Sequence, residues 1–271
     1  MPAAYELRDT LIKLDHVHAA RGGREVLRDV SAEIRDIVRP DVPGQGQVVG
    51  VLGPSGIGKT TLLRALAGLD APTAGRVLIG ERGEPARAGL VGVVFQHYPL
   101  FDHRRVLGNL LVAAGGAADA EPRARALLER FGLADRADAW PRELSGGQRQ
   151  RVAILQQVLS GHTYVVMDEP FSGLDPVSKA AACALIGEIA RLDERTTLII
   201  ITHDIREAVK VADTLWLLGR ERDADGAPVP GSRIIETYDL IARGVAWQPD
   251  AARTPAFAEL VRELEDRFTA L

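Results

Sequence analysis

The hydrophobic positions of this chain follow two periodicities, one typical of strands and one typical of helices. Two partly alternating segments, 11–17 and 26–34, flank the turn at residues 21–24 and predict an antiparallel hairpin. Continuous apolar runs, which are typical of buried parallel strands, occupy residues 48–52, 164–167, 198–202 and 215–218. Helical spacing of apolar residues marks the segments 60–69, 123–131, 148–159, 176–192 and 255–268. This alternation predicts an α/β fold with a mainly parallel sheet covered by helices.

The order of these elements also predicts how the chain is divided. We expect residues 1–95 to form an antiparallel β-subdomain and the first part of the core, and residues 96–160 to form a helical lobe. Residues 161–240 should complete the core, and residues 241–271 should form a C-terminal helical tail. Prolines and glycines within 35–47 predict a surface loop ahead of the first core strand. All of these segments should belong to a single domain.

Composition excludes several classes of protein. The 271 residues include 33 Lys and Arg against 37 Asp and Glu, a net charge of −4 with both signs mixed, so no nucleic-acid partner is expected. No apolar run approaches the roughly 20 residues that a membrane span needs. The first residues lack a basic stretch followed by an apolar core, so we expect no secretory signal and a cytoplasmic location. The single Cys183 cannot form a disulfide within the chain.

A phosphate-binding pattern, G-x-x-x-x-G-K-[ST], lies between the first apolar run and the first predicted helix. It comprises Gly53, Pro54, Ser55, Gly56, Ile57, Gly58, Lys59 and Thr60, and Thr61 follows it. The glycines let successive N–H groups point at phosphate oxygens, and the helix N-terminus favours an anion. We expect the loop and Thr61 to bind a nucleotide, Lys59 to reach its β and γ phosphates, and the Thr60 hydroxyl to bind Mg²⁺. A glycine-rich connector without a ligand is the alternative, which the flanking strand and helix disfavour.

Ionisable residues follow two of the other predicted strands. Asp168 and Glu169 end the run at 164–167, and His203 follows the run at 198–202. Ligands of open α/β sheets bind at the carboxyl ends of the strands, so all three side chains should reach the phosphate loop. Asp168 is then the expected anchor for Mg²⁺, Glu169 the group that polarises a water for attack, and His203 a contact to the γ-phosphate. A solvated turn and a structural histidine are the alternatives.

A second potential phosphate site opens the helix at 148–159. It consists of Leu144, Ser145, Gly146, Gly147 and Gln148. The Ser145 hydroxyl and the free N–H groups of a helix N-terminus suit an anion, although the segment alone could also be a capped turn. Together with the phosphate loop, the acidic pair and the histidine, in this order, it resembles the ATP-binding cassette (ABC) ATPases over most of the chain.

The resemblance implies a P-loop NTPase fold of the ABC type, ATP as ligand with Mg²⁺, and two more site residues. Gln96 resembles the glutamine that touches Mg²⁺ and the attacking water while linking to a transmembrane partner, and Asp175 lies in a segment similar to the D-loop that crosses the dimer interface. The resemblance further implies a head-to-tail homodimer, or a pair of cassettes. Each ATP would lie between the phosphate loop of one subunit and residues 144–148 of the other. Arg21 stands where the family usually has an aromatic residue, and arginine can stack flat on a base.

The chain has no hydrophobic domain, and in this respect it resembles the separate ATPase subunits of bacterial importers. Residues 212–218, 238–240 and 255–268 look similar to the nitrate, sulfonate and taurine importer ATPases. Such a subunit would sit peripherally on the cytoplasmic face of the inner membrane, bound to transmembrane permease subunits and linked through them to a periplasmic or surface solute-binding protein. The groove for the permease would include His97, Tyr98, Leu100 and Phe101.

Two other function classes have sequence signatures of their own. A soluble ABC ATPase that is not coupled to transport usually carries a long coiled-coil insertion or two cassettes. A P-loop kinase of small molecules would share Lys59 and Thr60 but has no reason to contain residues 144–148. The chain has neither the insertion nor a second cassette, so the transport ATPase is our main hypothesis and the soluble ABC ATPase its alternative.

Overall fold

The predicted hairpin is present and is longer than its pattern indicated. In the computed structural model, which describes residues 5–39, 44–248, 250–269 and 271, strand β1 covers Glu6–Arg21 and β2 covers Arg24–Val38. The surface loop predicted over 35–47 is therefore wrong for its first residues, because Ile37 pairs with Leu7 and extends the ladder. Residues 40–43 of that predicted loop lie outside the described residues. Strands β4 (Ala74–Ile79) and β5 (Glu84–Pro85) complete an antiparallel sheet with the order β2-β1-β4-β5.

A second, mainly parallel sheet carries the buried apolar runs. Its strands are β3 (Gln47–Leu52), β6 (Val91–Val94), β7 (Tyr164–Asp168), β8 (Thr197–Thr202), β9 (Thr214–Gly219) and β10 (Arg233–Asp239). Their order is β10-β9-β3-β8-β7-β6, and β9–β10 is the one antiparallel pair among the described strands of this sheet. Every residue of β3 and β8 is buried, as expected for strands covered on both faces.

The helices lie where the 3.6-residue spacing predicted them, with two additions. They are α1 (Lys59–Leu66), α2 (Val106–Ala113), α3 (Ala120–Arg130), α4 (Gly146–Leu159), α5 (Pro176–Ala190), α6 (Ile205–Val211) and α7 (Pro255–Thr269). Helix α1 ends before the predicted Leu69 because Gly68 adopts a positive φ of 64°, and a Cβ at this position would lie 2.4 Å from the backbone of Arg87. Helices α2 and α6, and strands β4, β5, β6 and β10, were not predicted individually.

The parallel sheet separates two hydrophobic clusters. Val48 and Leu52 face a cluster that includes the residues of α2 to α7, whereas Val49 and Val51 face α1 and the antiparallel sheet. Leu62, Leu63 and Leu66 of α1 are fully buried there, and each such burial stabilises the fold by about 1.5–3 kcal/mol. The sheet edge that holds the phosphate loop is therefore anchored from both faces.

The tail after β10 begins with turns and only then forms a helix. Helix α7 buries Phe257, Leu260, Val261 and Leu264 and packs against α6, so the predicted amphipathic face is a packing face. The helical tail predicted from residue 241 thus starts at Pro255. Within the described ranges, none of the helices combines the length and the apolar character that a bilayer span requires.

Candidate functional site

The carboxyl ends of three neighbouring parallel strands define the site. Strand β3 pairs with β8, with Leu52 opposite Thr202, and β8 pairs with β7, with Ile201 opposite Asp168. The phosphate loop, the acidic pair and His203 each begin where one of these strands ends. The sheet register therefore brings together the three segments that the sequence predicted to meet.

Glycines allow the phosphate loop its shape. Gly58, immediately before α1, has a φ of 109°, and a Cβ there would approach Val26 to 3.0 Å. A Cβ on Gly53 would lie 2.9 Å from the carbonyl oxygen of Leu218, so this position also requires glycine. The turn between them carries the backbone N–H groups to the N-terminus of α1, where the helix dipole favours an anion.

The ammonium group of Lys59 lies inside the loop. Its Nζ donates to the carbonyl oxygens of Gly53 at 2.8 Å and Pro54 at 3.1 Å, and it lies 3.2 Å from Oε1 of Glu169. Only 8% of the Lys59 side chain is exposed. A buried cation with these partners is held at a defined place, from which its charge can act on a phosphate in the adjoining cleft.

Glu169 holds the centre of the polar network in a left-handed backbone conformation, with a φ of 48°. Its Oε2 accepts hydrogen bonds from Thr202 Oγ1 at 3.0 Å, from His203 Nδ1 at 2.9 Å and from the His203 backbone N–H at 3.3 Å. Burial raises the pKa of Glu169, but the His203 hydrogen bond and the charge of Lys59 outweigh it, so the pKa lies below its ordinary value. Glu169 is therefore an ionised carboxylate, suited to accept a proton or orient a water.

Asp168 has a different environment from its neighbour. Burial, followed by the charge of Glu169, raises the pKa of Asp168. Its carboxylate lines the cleft together with the side chains of Thr60 and Gln96, and it accepts no hydrogen bond from the described part of the chain. Carboxylate, hydroxyl and amide oxygens are the ligands that Mg²⁺ prefers, so the residues present fit that ion.

These groups surround a cleft of about 470 Å³. Its lining consists of Arg21, Val26, Ser55, Gly56, Gly58, Lys59, Thr60, Thr61, Gln96, Asp168, Glu169, Ser172 and His203. Gly53 and Pro54 contribute through the carbonyl groups that hold Lys59, whereas the Ile57 side chain is buried in the core.

Sequence reasoning missed some contributors to the cleft. Thr202 binds Glu169 and could have been found as the polar residue that ends an otherwise apolar strand. Ser172 accepts a hydrogen bond from Gln96 Nε2 at 3.4 Å, and Val26 lies beside Gly58. Ser172 opens the segment that resembles the D-loop, but its contact with Gln96 was not predicted, and neither was that of Val26 with Gly58. Both contacts join segments that are far apart along the chain. The cleft volume and its cationic and carboxylate lining suit a nucleoside triphosphate.

Residues 144–148 lie outside the lining of this cleft. Ser145 caps α4: its Oγ accepts from the Gln148 N–H at 3.3 Å, and Gln148 Oε1 accepts from the Ser145 N–H at 2.9 Å. Leu144 is buried behind this cap. Asp175 likewise caps α5, where its Oδ1 accepts from the N–H groups of Val177 and Ser178. The turn at 144–148 is thus an ordered helix N-terminus separate from the cleft of its own chain.

Comparison with known proteins relates this site to a family. The model of the family described as ABC transporter matches residues 43–172. The aliphatic sulfonates import ATP-binding protein SsuB of Rhodopseudomonas palustris is 38% identical over 219 residues, which are 80% of this chain and 73% of that protein. SsuB of Burkholderia pseudomallei is 36% identical over 83% of this chain and 64% of its own length, and SsuB of Burkholderia thailandensis is 35% identical over 96% and 68%.

Solved structures agree with the fold. CbiO1 of Clostridium perfringens, part of the ABC transporter complex cbiONQ, covers 97% of this chain and is itself covered to 97%, with a TM-score of 0.72 and 23% identity. A dimeric ATP-binding cassette in a post-hydrolysis state, bound to ADP and Pi, covers 85% of this chain and is covered to 99%, with a TM-score of 0.67 and 25% identity. The predicted ABC-type P-loop fold is therefore confirmed, and the chain belongs to the ABC transporter family as an ATP-binding, ATP-hydrolysing cassette.

Proposed function

We propose that this chain energises an importer of small anionic solutes of the aliphatic sulfonate class, bound peripherally to the cytoplasmic face of the membrane. The observation that carries the ATPase part is the convergence of Lys59, Glu169 and His203 on one cleft, with Glu169 within 3.2 Å of both other side chains. The solute class is supported by the names of the relatives alone.

Within the cleft, different residues have different roles in phosphoryl transfer. The N–H groups of the phosphate loop and the ammonium of Lys59 bind and orient the β and γ phosphates, and Thr60, Gln96 and Asp168 would hold Mg²⁺, whose charge offsets that of the phosphates. Glu169, ionised and fixed by Thr202, orients the attacking water and accepts its proton. This reaction depends mainly on positioning and charge stabilisation, which a rigid network of this kind supplies.

A second subunit would complete the site. The capped helix N-terminus at residues 144–148 offers a hydroxyl and backbone N–H groups to an anion but lies outside the cleft of its own chain. We therefore assign Ser145 to the γ-phosphate of the ATP bound by the partner subunit, in a head-to-tail homodimer. Asp175, at the N-terminus of α5, would lie at the same interface. ATP then favours the closed dimer because these contacts exist only in that state.

A separate groove would receive the permease. It measures about 480 Å³ and is lined by apolar side chains that include Phe95, Leu100, Phe101 and Val112. Of these, Phe95, Phe101 and Val112 are exposed, which is typical of an interaction surface. Two residues that the sequence predicted for the groove do not line it. Tyr98 turns inward and donates to the Pro170 carbonyl at 3.3 Å, and His97 is absent from the lining.

The dimeric motor is tested by the ATPase rate per subunit as a function of protein concentration, with and without the detergent-solubilised permease. A rate per subunit that rises with concentration and is stimulated by the permease is the expected result. Turnover that is independent of concentration and of any membrane protein would instead support a soluble ABC ATPase. Phe101→Asp serves as the matched variant, since it should abolish stimulation by the permease but keep basal turnover.

A test of the solute class requires the whole transporter. In proteoliposomes that contain the chain, its permease and the solute-binding protein, an aliphatic sulfonate should stimulate ATP hydrolysis, whereas nitrate and sulfate at the same concentration should not. Stimulation by nitrate alone would leave the ATPase assignment intact and replace the sulfonate class.

A further inference from the structure

A polar connection runs from the catalytic cleft to the N-terminal turn of α5. The Thr202 hydroxyl donates to Glu169 Oε2 at 3.0 Å, and the Thr202 hydroxyl oxygen itself accepts from the Asp204 backbone N–H at 3.0 Å. The carboxylate of Asp204 in turn pairs with the ammonium of Lys179, which lies on α5. The residue that orients water is thus joined, through two intermediates, to a different helix.

Asp204 has two tasks at the start of α6. Its Oδ1 accepts from the Glu207 N–H at 3.2 Å, so it caps the helix, while its Oδ2 binds Lys179. The ion pair is partly shielded, with 28% of the Lys179 side chain and 17% of the Asp204 side chain exposed. The hydrogen bond with Asp204 raises the pKa of Lys179, so its ammonium group stays charged across the neutral range. His203 directly precedes Asp204 in the chain. Contacts that hold Asp204 in place therefore also restrict the backbone of His203.

The other end of the connection is the turn that Asp175 caps. The Lys179 N–H donates to the Asp175 carbonyl at 2.9 Å, which places Lys179 on the first full turn of α5. Asp175 Oδ1 accepts from the N–H groups of Val177 and Ser178, so this turn is hydrogen-bonded from its first residue. A movement of the Asp175 end would therefore be transmitted to Lys179.

We propose that Lys179 is a positioning residue, which ties the first turn of α5 to the 202–204 turn and thereby holds Glu169 and His203 in register with the dimer interface. The proposal rests on the proposed function, because the N-terminal turn of α5 can affect turnover in this way only if it lies at the dimer interface. Lys179 is not among the residues that line the cleft, so its effect would reach the reaction through Asp204 and Thr202. Loss of the pair should consequently impair turnover without weakening ATP binding.

The same pair of helices provides a matched control. Lys210, on α6, binds both oxygens of Glu207, at 2.8 and 2.7 Å. Among the described contacts, the side chains of this second ion pair do not reach Thr202 or Glu169, and only the Glu207 backbone N–H is bound by Asp204. Lys210→Met removes an ammonium from the same surface and leaves the connection intact. The Lys179 and Lys210 side chains are exposed to similar degrees, 28% and 31%, so the two substitutions are matched in burial.

The test compares steady-state ATP hydrolysis and equilibrium ATP binding for the full chain and its variants. We expect Lys179→Met to lower kcat about tenfold with KM and the ATP dissociation constant within twofold of wild type, Lys179→Arg to restore most of kcat, and Lys210→Met to change kcat less than twofold. Asp204→Asn keeps an oxygen for the cap, and its combination with Lys179→Met should be no slower than the slower single variant. Wild-type kcat in Lys179→Met, an equal loss in Lys210→Met, or additive losses would overturn the proposal.

Amide hydrogen exchange separates this proposal from the proposed function. The backbone N–H groups of His203 and Asp204 are bound by Glu169 and Thr202, so Lys179→Met should accelerate their exchange, whereas Lys210→Met should not. A wild-type chain without turnover would contradict the ATPase assignment, and unchanged exchange in Lys179→Met would independently overturn the positioning role.

Discussion

The imidazole Nδ1 of His203 lies 2.9 Å from Oε2 of Glu169. A carboxylate can only accept a hydrogen bond, and the pKa of Glu169 is below its ordinary value, so Nδ1 carries the proton and the ring donates. The second ring nitrogen of His203 is thereby directed away from Glu169, and the ring lines the cleft. The two side chains form a hydrogen-bonded unit, and we propose that Glu169 orients the ring towards the phosphate while the ring favours the ionised form of Glu169.

Glu169→Gln should separate binding from hydrolysis. Glutamine keeps the size of the side chain but cannot accept the proton of water, so we expect kcat to fall by about 10²–10⁴-fold, the usual contribution of a general base. ATP affinity should remain within a few-fold, and ATP should shift the variant to a dimer in size-exclusion chromatography. Glu188→Gln, at an exposed position of α5, is the control. Unchanged turnover in Glu169→Gln would remove Glu169 from the base role.

The lowered pKa of Glu169 makes a prediction for the pH dependence of stability. As pH falls, the unfolded chain takes up this proton first, so the ionised carboxylate stabilises the fold above the ordinary pKa of about 4.5, and the contribution is lost as pH falls through the lower pKa of the folded state. Glutamine cannot ionise. The free energy of unfolding of Glu169→Gln should therefore lie below that of wild type at pH 7, and the difference should narrow below about pH 4.5.

Urea unfolding at both pH values measures this difference. Glu188→Gln again supplies the reference, since its exposed side chain should give no difference that depends on pH. The free energies of unfolding of wild type and Glu169→Gln could instead differ by the same amount at pH 7 and in acid. That result would mean that the contacts with His203 and Lys59 do not favour the charged form of Glu169.

The proposed head-to-tail dimer predicts the effect of a substitution at Ser145. Arginine at this position should occupy the space in front of the helix N-terminus and keep the partner's γ-phosphate out of reach, so turnover should fall about 100-fold or more, the usual cost of a misplaced reactant. In a Glu169→Gln background, Ser145→Arg should bind ATP normally yet remain monomeric. Ser160→Arg, at the opposite end of α4, should still form the ATP-dependent dimer. Loss of ATP binding by the Ser145→Arg monomer would place the residue in the site of its own chain.

The sequence was most informative where one local rule decides the structure. Gly58 and Lys59 could be assigned to a phosphate loop because the motif, the buried strand before it and the helix after it all agree. The short strand β6 was missed since it spans only Val91–Val94, too few residues for a periodicity. Extension of β2 to Val38 was missed because strand pairing outweighed the loop preference of the prolines and glycines that follow.

The network around the site could be predicted only in part. Position at a strand end indicated that Glu169 and His203 reach the same edge. The Thr202 hydroxyl contact and the pair between Lys179 and Asp204 depend on side-chain rotamers and on the packing of α5 against α6, neither of which leaves a pattern in the sequence. Long-range polar contacts are therefore the part of such a site that a structure adds.

The last prediction concerns the end of the cleft where the nucleobase would bind. Arg21 lines the cleft at the end of β1, and its Nη2 lies 3.4 Å from Asp70, a carboxylate that Arg64 also binds, at 2.6 and 2.8 Å. This carboxylate holds the planar guanidinium at the mouth of the cleft, where it can stack on a base. Every base offers a π-face to such a plane, so stacking on Arg21 should be tolerant of base identity.

Arg21→Ala should therefore weaken the binding of ATP and of GTP by similar factors of about 2–5, as expected for a cation–π contact of about 0.5–1 kcal/mol at an exposed site. Arg24→Ala removes an equally exposed guanidinium from the other side of the same turn and should leave both affinities unchanged. Fluorescence titration with labelled analogues of the two nucleotides measures the effect. A loss confined to ATP would show that Arg21 reads the adenine edge, and no loss for either nucleotide would place the base elsewhere in the cleft.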